Sequence, residues 1–473
     1  MKRKISIILF FCILWNAMFI TVFPTETKAA KSKPSISAES AVVMDVQSGS
    51  ILYSKNMDKR QYPASITKIM TGLIALENSS LSETVTYSGS AVLNLESGAS
   101  NIGIKVGERM TMEESLYAIL LMSANEACNG VAEHIAGSVK NYAKMMNSRA
   151  KELGCTGTHF ANPNGLWLKN HYTTAHDMAL IARAAYKNST FAQIVGTKRY
   201  NIPKTNKNKA GHALYNHHGM LYANPSYPQY VYEYCVGGKT GYTLKCRYTL
   251  VTYAKKNGMT LVSVIMKAPN HPSMEPNEYT DSTKLLNYCF ENYTRYGIQD
   301  NTTNEINNQY LFTKFSPYYK QSTSSLSLDA DAGVILPKGV SLNRAQRKVE
   351  FYDTPQTGKD GRNVIGTVTY TYNNKKVGGS DIYYTEKQLP MLSDSIDMSQ
   401  WFDAAVEKAN EEPFPWKKVA IITILVLATG AAVVLIILRI QAQKEQRSRR
   451  NRYKRTRRRL RRGRNDRNLY FKR

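Results

Sequence analysis

Cysteine is scarce in this chain, with six residues in 473. Cys12 lies in an apolar N-terminal run, and Cys128, Cys155, Cys235, Cys246 and Cys289 are odd in number. That excludes a dense disulfide framework, and the spacing matches no metal-ligand pattern. Free buried thiols are the favoured state; one bridge, with Cys235 and Cys246 as the candidate pair, is left open. The eight histidines contain no His-Glu-x-x-His or similar ligand pattern. Internal repeats are missing too, so a chain of this length is expected to hold two or three domains, each with its own core. Negative charge is in short supply, with 36 Asp and Glu against 63 Lys and Arg, a net +27.

Much of that excess sits at one end. Residues 439–473 hold 17 Lys and Arg against Glu445 and Asp466, a net +15. An arginine-rich arm can attract nucleic-acid phosphate. Here it directly follows Val419 to Leu438, twenty residues without a charge, which matches the thickness of a bilayer's hydrocarbon core. The positive-inside rule then places the tail in the cytoplasm, beside anionic lipid, and residues 31–418 outside. Nucleic acid is therefore not the expected partner. The other end agrees. Met1-Lys2-Arg3-Lys4 precedes an apolar run from Ile5 to Val22, and small residues follow near Ala29 and Ala30. That pattern is a secretory signal over 1–29, favoured over a retained anchor because of the small-residue cleavage site. The expected protein is anchored in the cell membrane by one span, with its bulk extracytoplasmic.

Between these ends the chain alternates strand and helix signals. Ala41 to Asp45 and Ile51 to Tyr53 are apolar runs joined by Gln47 to Ser50, a hairpin signal. A helix opening at Ser65 continues through Ile69, Met70, Leu73, Ile74 and Leu76 at helical spacing. Leu116 to Met122 is apolar throughout, as in a buried helix, and breaks at Ser123-Ala124-Asn125 before periodicity resumes from Glu126 to Ala136. Thr173 or Thr174 caps a helix running to Arg183. Leu250 to Ala254 and Met259 to Met266 are strands about a Lys-Lys-Asn-Gly turn. Lys284 to Tyr296 is expected to be a closing amphipathic helix. From about Tyr310 to Tyr384 the chain is strand-like, which suits a small β domain over 308–390. Residues 391–418 form a stalk.

Three short motifs carry chemistry. In Pro63-Ala64-Ser65-Ile66-Thr67-Lys68, a hydroxyl and an amine three residues apart share one helix face, because 3.6 residues make a turn. Burial lowers a lysine pKa, so Lys68 can take a proton from Ser65 near neutral pH. Pro63 suits a helix entry, where backbone N–H groups meet incoming negative charge. Ser123-Ala124-Asn125 is a polar break between buried apolar stretches, read either as a helix cap or as part of a site. In Gly238-Lys239-Thr240-Gly241-Tyr242-Thr243 the glycines admit a close backbone, while Lys239 and Thr240 can hold a carboxylate. Each motif alone is common.

Together, in this order and in a chain with a secretory signal, Ser-x-x-Lys, Ser-x-Asn and Lys-Thr-Gly form the signature of penicillin-binding proteins and class A β-lactamases. Further stretches, His159 to Leu166 and His171 to Ala179, narrow the match. The chain resembles the low-molecular-weight serine D-alanyl-D-alanine carboxypeptidases of the peptidase S11 family over residues 35–295. The resemblance implies an α+β fold. A β-lactamase/transpeptidase-like domain over 31–300, an antiparallel sheet flanked by helices plus a helical subdomain, precedes the β-rich domain and the span at 419–438.

It also implies a mechanism. Ser65, activated by Lys68, attacks the carbonyl between two terminal D-alanines of a peptidoglycan stem peptide. The Ser65 and Tyr242 N–H groups hold the oxyanion. Ser123 relays a proton to the leaving amine and Asn125 orients substrate. Lys239 and Thr240, with Gly241, Tyr242 and Thr243 completing the binding strand, receive the terminal carboxylate. No metal or organic cofactor is needed, and β-lactams would acylate Ser65.

One departure stands out: Cys246-Arg247 replaces the small Ala-Gly pair usual in the family, and Arg247 either lines the carboxylate pocket or points outward. The spanning anchor also differs from the amphipathic helix of many relatives. The rival readings are a β-lactamase, disfavoured by Ser-Ala-Asn and by Asn162-Pro163-Asn164-Gly165, a DD-endopeptidase using the same residues, and a silent wall-binding sensor.

Overall fold

The computed structural model describes residues 32–96, 98–223, 228–269, 277–298, 326–358 and 362–384. The expected signal, stalk, span and basic tail lie outside them. Among the described residues no helix is long and apolar enough to cross a membrane.

The chain opens with β1 (Ser40–Asp45) and β2 (Ile51–Lys55). Helix α1 (Lys68–Asn78) follows, then β3 (Thr84–Thr86) and α2 (Gly89–Leu93). After β4 (Arg109–Thr111) come α3 (Met112–Leu121), α4 (Asn125–Ala136) and α5 (Val139–Glu152). Next are α6 (Ala175–Tyr186), α7 (Ser189–Gly196), β5 (Arg199–Ile202) and β6 (His212–Tyr215). Three long strands follow, β7 (Cys235–Thr243), β8 (Arg247–Lys256) and β9 (Met259–Ala268), and then α8 (Asn277–Asn292). The remainder is strand: β10 (Tyr293–Gly297), β11 (Leu326–Leu328), β12 (Gly333–Pro337), β13 (Gln346–Thr357), β14 (Asn363–Tyr372) and β15 (Lys375–Tyr384).

The main sheet is antiparallel, in the order β2-β1-β9-β8-β7, with β7 at its edge. The inner strands β1 and β9 are buried at nearly every position because both of their faces are covered. Val42, Met44, Val262, Val264 and Met266 face one core, shared with α1, α3, α4 and α6. Ala41, Val43, Leu261 and Ile265 face the other, filled by Leu285, Leu286, Cys289 and Phe290 of α8. The β8–β9 turn places Asn257 at φ 51° and Gly258 at φ 73°, the twist that a tight hairpin requires.

The helical part builds on capped termini. Thr111 and Glu114 form a reciprocal capping box at α3, and Gly137 in the left-handed region ends α4. Thr174, not Thr173, caps α6.

The closing helix differs from expectation. It runs from Asn277 to Asn292, and Tyr293–Gly297 is a strand paired with Gly333–Pro337. Tyr293, Thr294 and Tyr296 are aromatic or β-branched residues that suit a pleated surface better than a helix. This strand begins a second antiparallel sheet, ordered β10-β12-β15-β14-β13, with β11 on β15. Its own core comprises Ile298, Leu328, Val334, Leu336, Val368, Tyr370 and Ile382. Asn373 and Asn374, both at positive φ, make the β14–β15 turn.

Cys128, Cys155, Cys235, Cys246 and Cys289 are all free thiols, and all but the half-buried Cys155 are buried. The candidate Cys235–Cys246 bridge is not formed.

Candidate active site

Ser65 lies in a single 3-10 turn, Ala64–Thr67, which runs straight into α1 at Lys68. Pro63 precedes the turn, as its fixed φ favours. Ala64, unusually for a non-glycine residue, has φ 52°. Two neighbours hold it there. The Thr249 hydroxyl of β8 lies 2.8 Å from the Pro63 carbonyl and 3.2 Å from that of Gly241, so its proton is shared between the turn and β7. On the other side Gly165, at φ 85°, packs its Cα against the Ala64 carbonyl, and any Cβ there would overlap that oxygen.

Lys68 is fully buried. Its Nζ donates to Ser65 Oγ at 3.0 Å, Asn125 Oδ1 at 2.7 Å and the Asn164 carbonyl at 2.5 Å. Three acceptors satisfy three donors, and none is a carboxylate. Burial pulls its pKa from 10.5 down to about 8, against the opposing influence of Cys128 and Glu126. Asn125 is the first residue of α4, and its N–H donates to the Ser100 carbonyl at 2.9 Å.

Neither Ser123 nor Asn125 caps a helix; the position before α4 is Ala124, without a side-chain cap. Instead Ser123 is held at φ 62°, and its buried hydroxyl has no hydrogen-bond partner. A left-handed serine costs on the order of 1–3 kcal/mol, and such strain concentrates at functional positions.

The edge strand β7 supplies the rest. Lys239 is buried and donates to the Thr240 carbonyl at 3.0 Å. Burial, and then the charge of Lys68, lower its pKa from 10.5 to about 7. Among the described residues it pairs with no carboxylate. Thr240 is half-buried beside it. Gly241 touches the Ser65 turn so closely that a Cβ would lie 2.8 Å from the Ser65 nitrogen. Tyr242 is exposed and packs on Tyr248 at 4.6 Å between ring centroids. The Thr243 hydroxyl accepts the Cys246 N–H at 3.0 Å, closing the β7–β8 turn. Cys246 is buried there, whereas Arg247 is exposed, at φ 58°.

The fold thus brings Ser65, Lys68 and Asn125 into one hydrogen-bonded cluster, with Gly241 against its floor and Lys239 within electrostatic reach. The profile of the peptidase S11 family, described as D-alanyl-D-alanine carboxypeptidase, matches residues 27–270. The chain belongs to this family.

Among S11 and related proteins, it is 28% identical to the D-alanyl-D-alanine carboxypeptidase DacF of Bacillus subtilis, over 81% of this chain and 93% of that one. It is 32% identical to the D-alanyl-D-alanine carboxypeptidase of Streptomyces sp. strain K15, over 55% of this chain and 90% of the other. The crystal structure of a D-alanyl-D-alanine carboxypeptidase from Mycobacterium tuberculosis H37Rv superposes with a TM-score of 0.50 at 29% identity, covering 56% of this chain and 94% of its own.

The S11 site also uses residues to which sequence reasoning gave no role. The Asn164 carbonyl takes one of the Lys68 protons. Asn162 and Asn164 fold their own loop, accepting from the Gly165 and Leu166 N–H groups. His171 ties that loop to the Ser65 turn: its Nδ1 accepts from Ala161 N–H, so its Nε2 donates to Thr67 Oγ1 at 2.9 Å. Burial pushes its pKa down to about 3, which keeps it neutral. The available signal was Asn162-Pro163-Asn164-Gly165, a dense turn motif in an otherwise apolar region.

Proposed function

We propose that this protein is a serine-type D-alanyl-D-alanine carboxypeptidase acting on peptidoglycan stem pentapeptides through an acyl-enzyme. The observation that carries the reading is Lys68. Its amine is buried among neutral acceptors with Ser65 Oγ at 3.0 Å, an arrangement that favours the free base and gives it one hydroxyl to deprotonate.

Ser65 Oγ attacks the carbonyl of the penultimate D-alanine as its proton passes to Lys68. The Ser65 and Tyr242 N–H groups stabilise the tetrahedral oxyanion. The C–N bond then breaks, and the proton travels from Lys68 through Ser123 to the departing amine. The unpartnered Ser123 hydroxyl suits this relay. Water attacks the resulting ester by the reverse path, releasing the shortened stem and restoring Ser65. Lys239 and Thr240 hold the terminal carboxylate, and Asn125 orients both Lys68 and the substrate amide. A β-lactam amide acylates Ser65 by the same route, but its leaving nitrogen stays tethered.

The wider organisation belongs to this reading: signal 1–29, a catalytic domain from residue 31 through Asn292, a β-rich domain that begins at Tyr293, earlier than the 308 expected, because Tyr293–Gly297 joins its sheet, then stalk 391–418, span 419–438 and cytoplasmic tail 439–473. It sets the site on the wall side of the membrane, with the basic tail beside anionic lipid. Charge and hydropathy of the sequence support it.

Product analysis on defined muropeptides tests the function. Release of free D-alanine from a pentapeptide is the expected result. Cleavage of cross-linked dimers alone would identify an endopeptidase, and rapid β-lactam turnover without D-alanine release a β-lactamase.

The two lysines also set the pH dependence. The free amine of Lys68 grows as pH rises towards and past about 8, whereas the cationic Lys239 that binds carboxylate is lost as pH rises past about 7. The kcat/KM profile of the free enzyme is therefore expected to be a narrow bell peaking between these values. Lys239→Arg, which stays charged, should remove the alkaline limb.

A further inference from the structure

The three segments that frame Ser65 are residues 60–66, 161–172 and 240–249, and none contains an Asp or Glu. They carry Arg60, Lys169, Lys245 and Arg247 instead, all exposed. Among the described residues none of the four forms a salt bridge. Two of these cations lie over aromatic rings, Arg60 over Tyr172 at 4.7 Å and Lys245 over Trp167 at 5.8 Å.

The Trp167 ring is part of a built rim. It is 39% exposed, and Tyr62 meets it edge-on with centroids 5.9 Å apart. Each member is tied to a group already placed in the site. Tyr62 stands three residues before Ser65, and Trp167 three residues after Asn164, whose carbonyl accepts from Lys68. Lys245 stands two residues after Thr243, in the turn that the Thr243 hydroxyl closes.

We propose that this rim is a second recognition site for the substrate, and that the substrate is an acidic peptide. Lys245 takes a carboxylate upstream of the D-alanine pair, and the aliphatic stem of that residue lies on the Trp167 ring. The inference rests on the acyl-transfer reading above. Lys239 and Thr240 already account for the terminal carboxylate, so the uncompensated charge at Lys245 calls for another anion. Spacing agrees: Lys239 to Thr243 along an extended strand covers about 13 Å, roughly four residues of an extended peptide laid beside the β7 edge. A carboxylate two to four residues before the chain end would therefore reach the rim. Surface ion pairs and cation–π contacts of this kind change binding by roughly three- to fivefold.

The test uses the full-length protein and two synthetic pentapeptides with identical D-Ala-D-Ala ends. One carries free carboxylates at its second and third residues, and the other carries amides there. Wild-type protein is expected to favour the acidic peptide by that factor. Lys245→Gln should erase the preference, Lys245→Arg should keep it, and Trp167→Ala should weaken it. Penicillin, which lacks this upstream segment, should acylate all four proteins at the same rate. Equal kcat/KM for both peptides in the wild type, or an equal fall on both in Lys245→Gln, would overturn the proposal. Failure of penicillin to acylate the wild-type protein would overturn the acyl-transfer reading, and the rim proposal with it.

Discussion

Lys68→Met is expected to slow acylation of Ser65 by penicillin by roughly 10^2 to 10^4, the range in which a positioned base contributes. The protein should nevertheless stay folded, and at neutral pH it should be at least as resistant to heat as the parent. Lys68 is buried without a carboxylate, and its pKa falls from 10.5 to about 8. For a fully buried group, that depression corresponds to a cost on the order of 3 kcal/mol in keeping its charged form folded. Methionine has nearly the same length and removes that cost, although it leaves Asn125 Oδ1 and the Asn164 carbonyl without their donor.

The sign can be checked by titration. Between about pH 8 and 10.5 the unfolded chain holds a proton at Lys68 that the folded chain does not. The destabilisation is therefore complete below about 8 and fades towards 10.5. Thermal unfolding followed across this window should show the parent gaining on the variant as pH rises. Acylation at the parental rate in Lys68→Met would exclude Lys68 as the base. Lys68→Arg should be no better than Met, since a guanidinium does not give up its proton.

The same lysine shows what the sequence could and could not convey. Ser65 and Lys68 were legible because helical spacing puts them on one face and Ser123-Ala124-Asn125 and Lys239-Thr240-Gly241 follow them in order. The main sheet was legible because Met259 to Met266 is apolar at every position but Thr260 and Ser263, a density that suits a strand covered on both sides. The Asn164 contribution was not, because a backbone carbonyl is the same in every residue and its position depends on the fold of residues 162–166. Ser123 was visible as an anomaly between apolar stretches, but its left-handed backbone is imposed by the junction of α3 and α4. The end of α8 is hidden in the sequence for a different reason. Tyr293–Gly297 is a strand because it pairs with Gly333–Pro337, some forty residues away, and helical periodicity does not register a distant partner. The opposite environments of the neighbours Cys246 and Arg247, one buried and one exposed, follow from the β7–β8 turn that Thr243 closes, which residue type alone does not encode.

Gly241→Ala is expected to cost the enzyme at least about 10^2 in acylation rate, the penalty of displacing catalytic geometry by about 1 Å. Backbone strain is not the cause, because Gly241 does not occupy the left-handed region. Space is. A Cβ at this position would lie 2.5 Å from Thr249 Oγ1, 2.8 Å from the Ser65 nitrogen and 3.1 Å from the Ile66 nitrogen. Thr249 is itself bonded to the Pro63 carbonyl, so it cannot swing away without releasing the turn. The relief left is for the Ser65 turn to move off β7, separating the two N–H groups that would share the oxyanion. Gly258→Ala is the matching control. That residue sits at φ 73° with nothing within 4 Å of a new Cβ, so alanine there meets strain without collision. It should lower stability by about 1 kcal/mol and leave acylation unchanged. If both variants acylate at the parental rate, contact between Gly241 and the Ser65 turn has no part in catalysis. If Gly241→Ala alone is slow while its unfolding midpoint stays close to that of Gly258→Ala, the loss comes from the oxyanion geometry and not from a weakened fold.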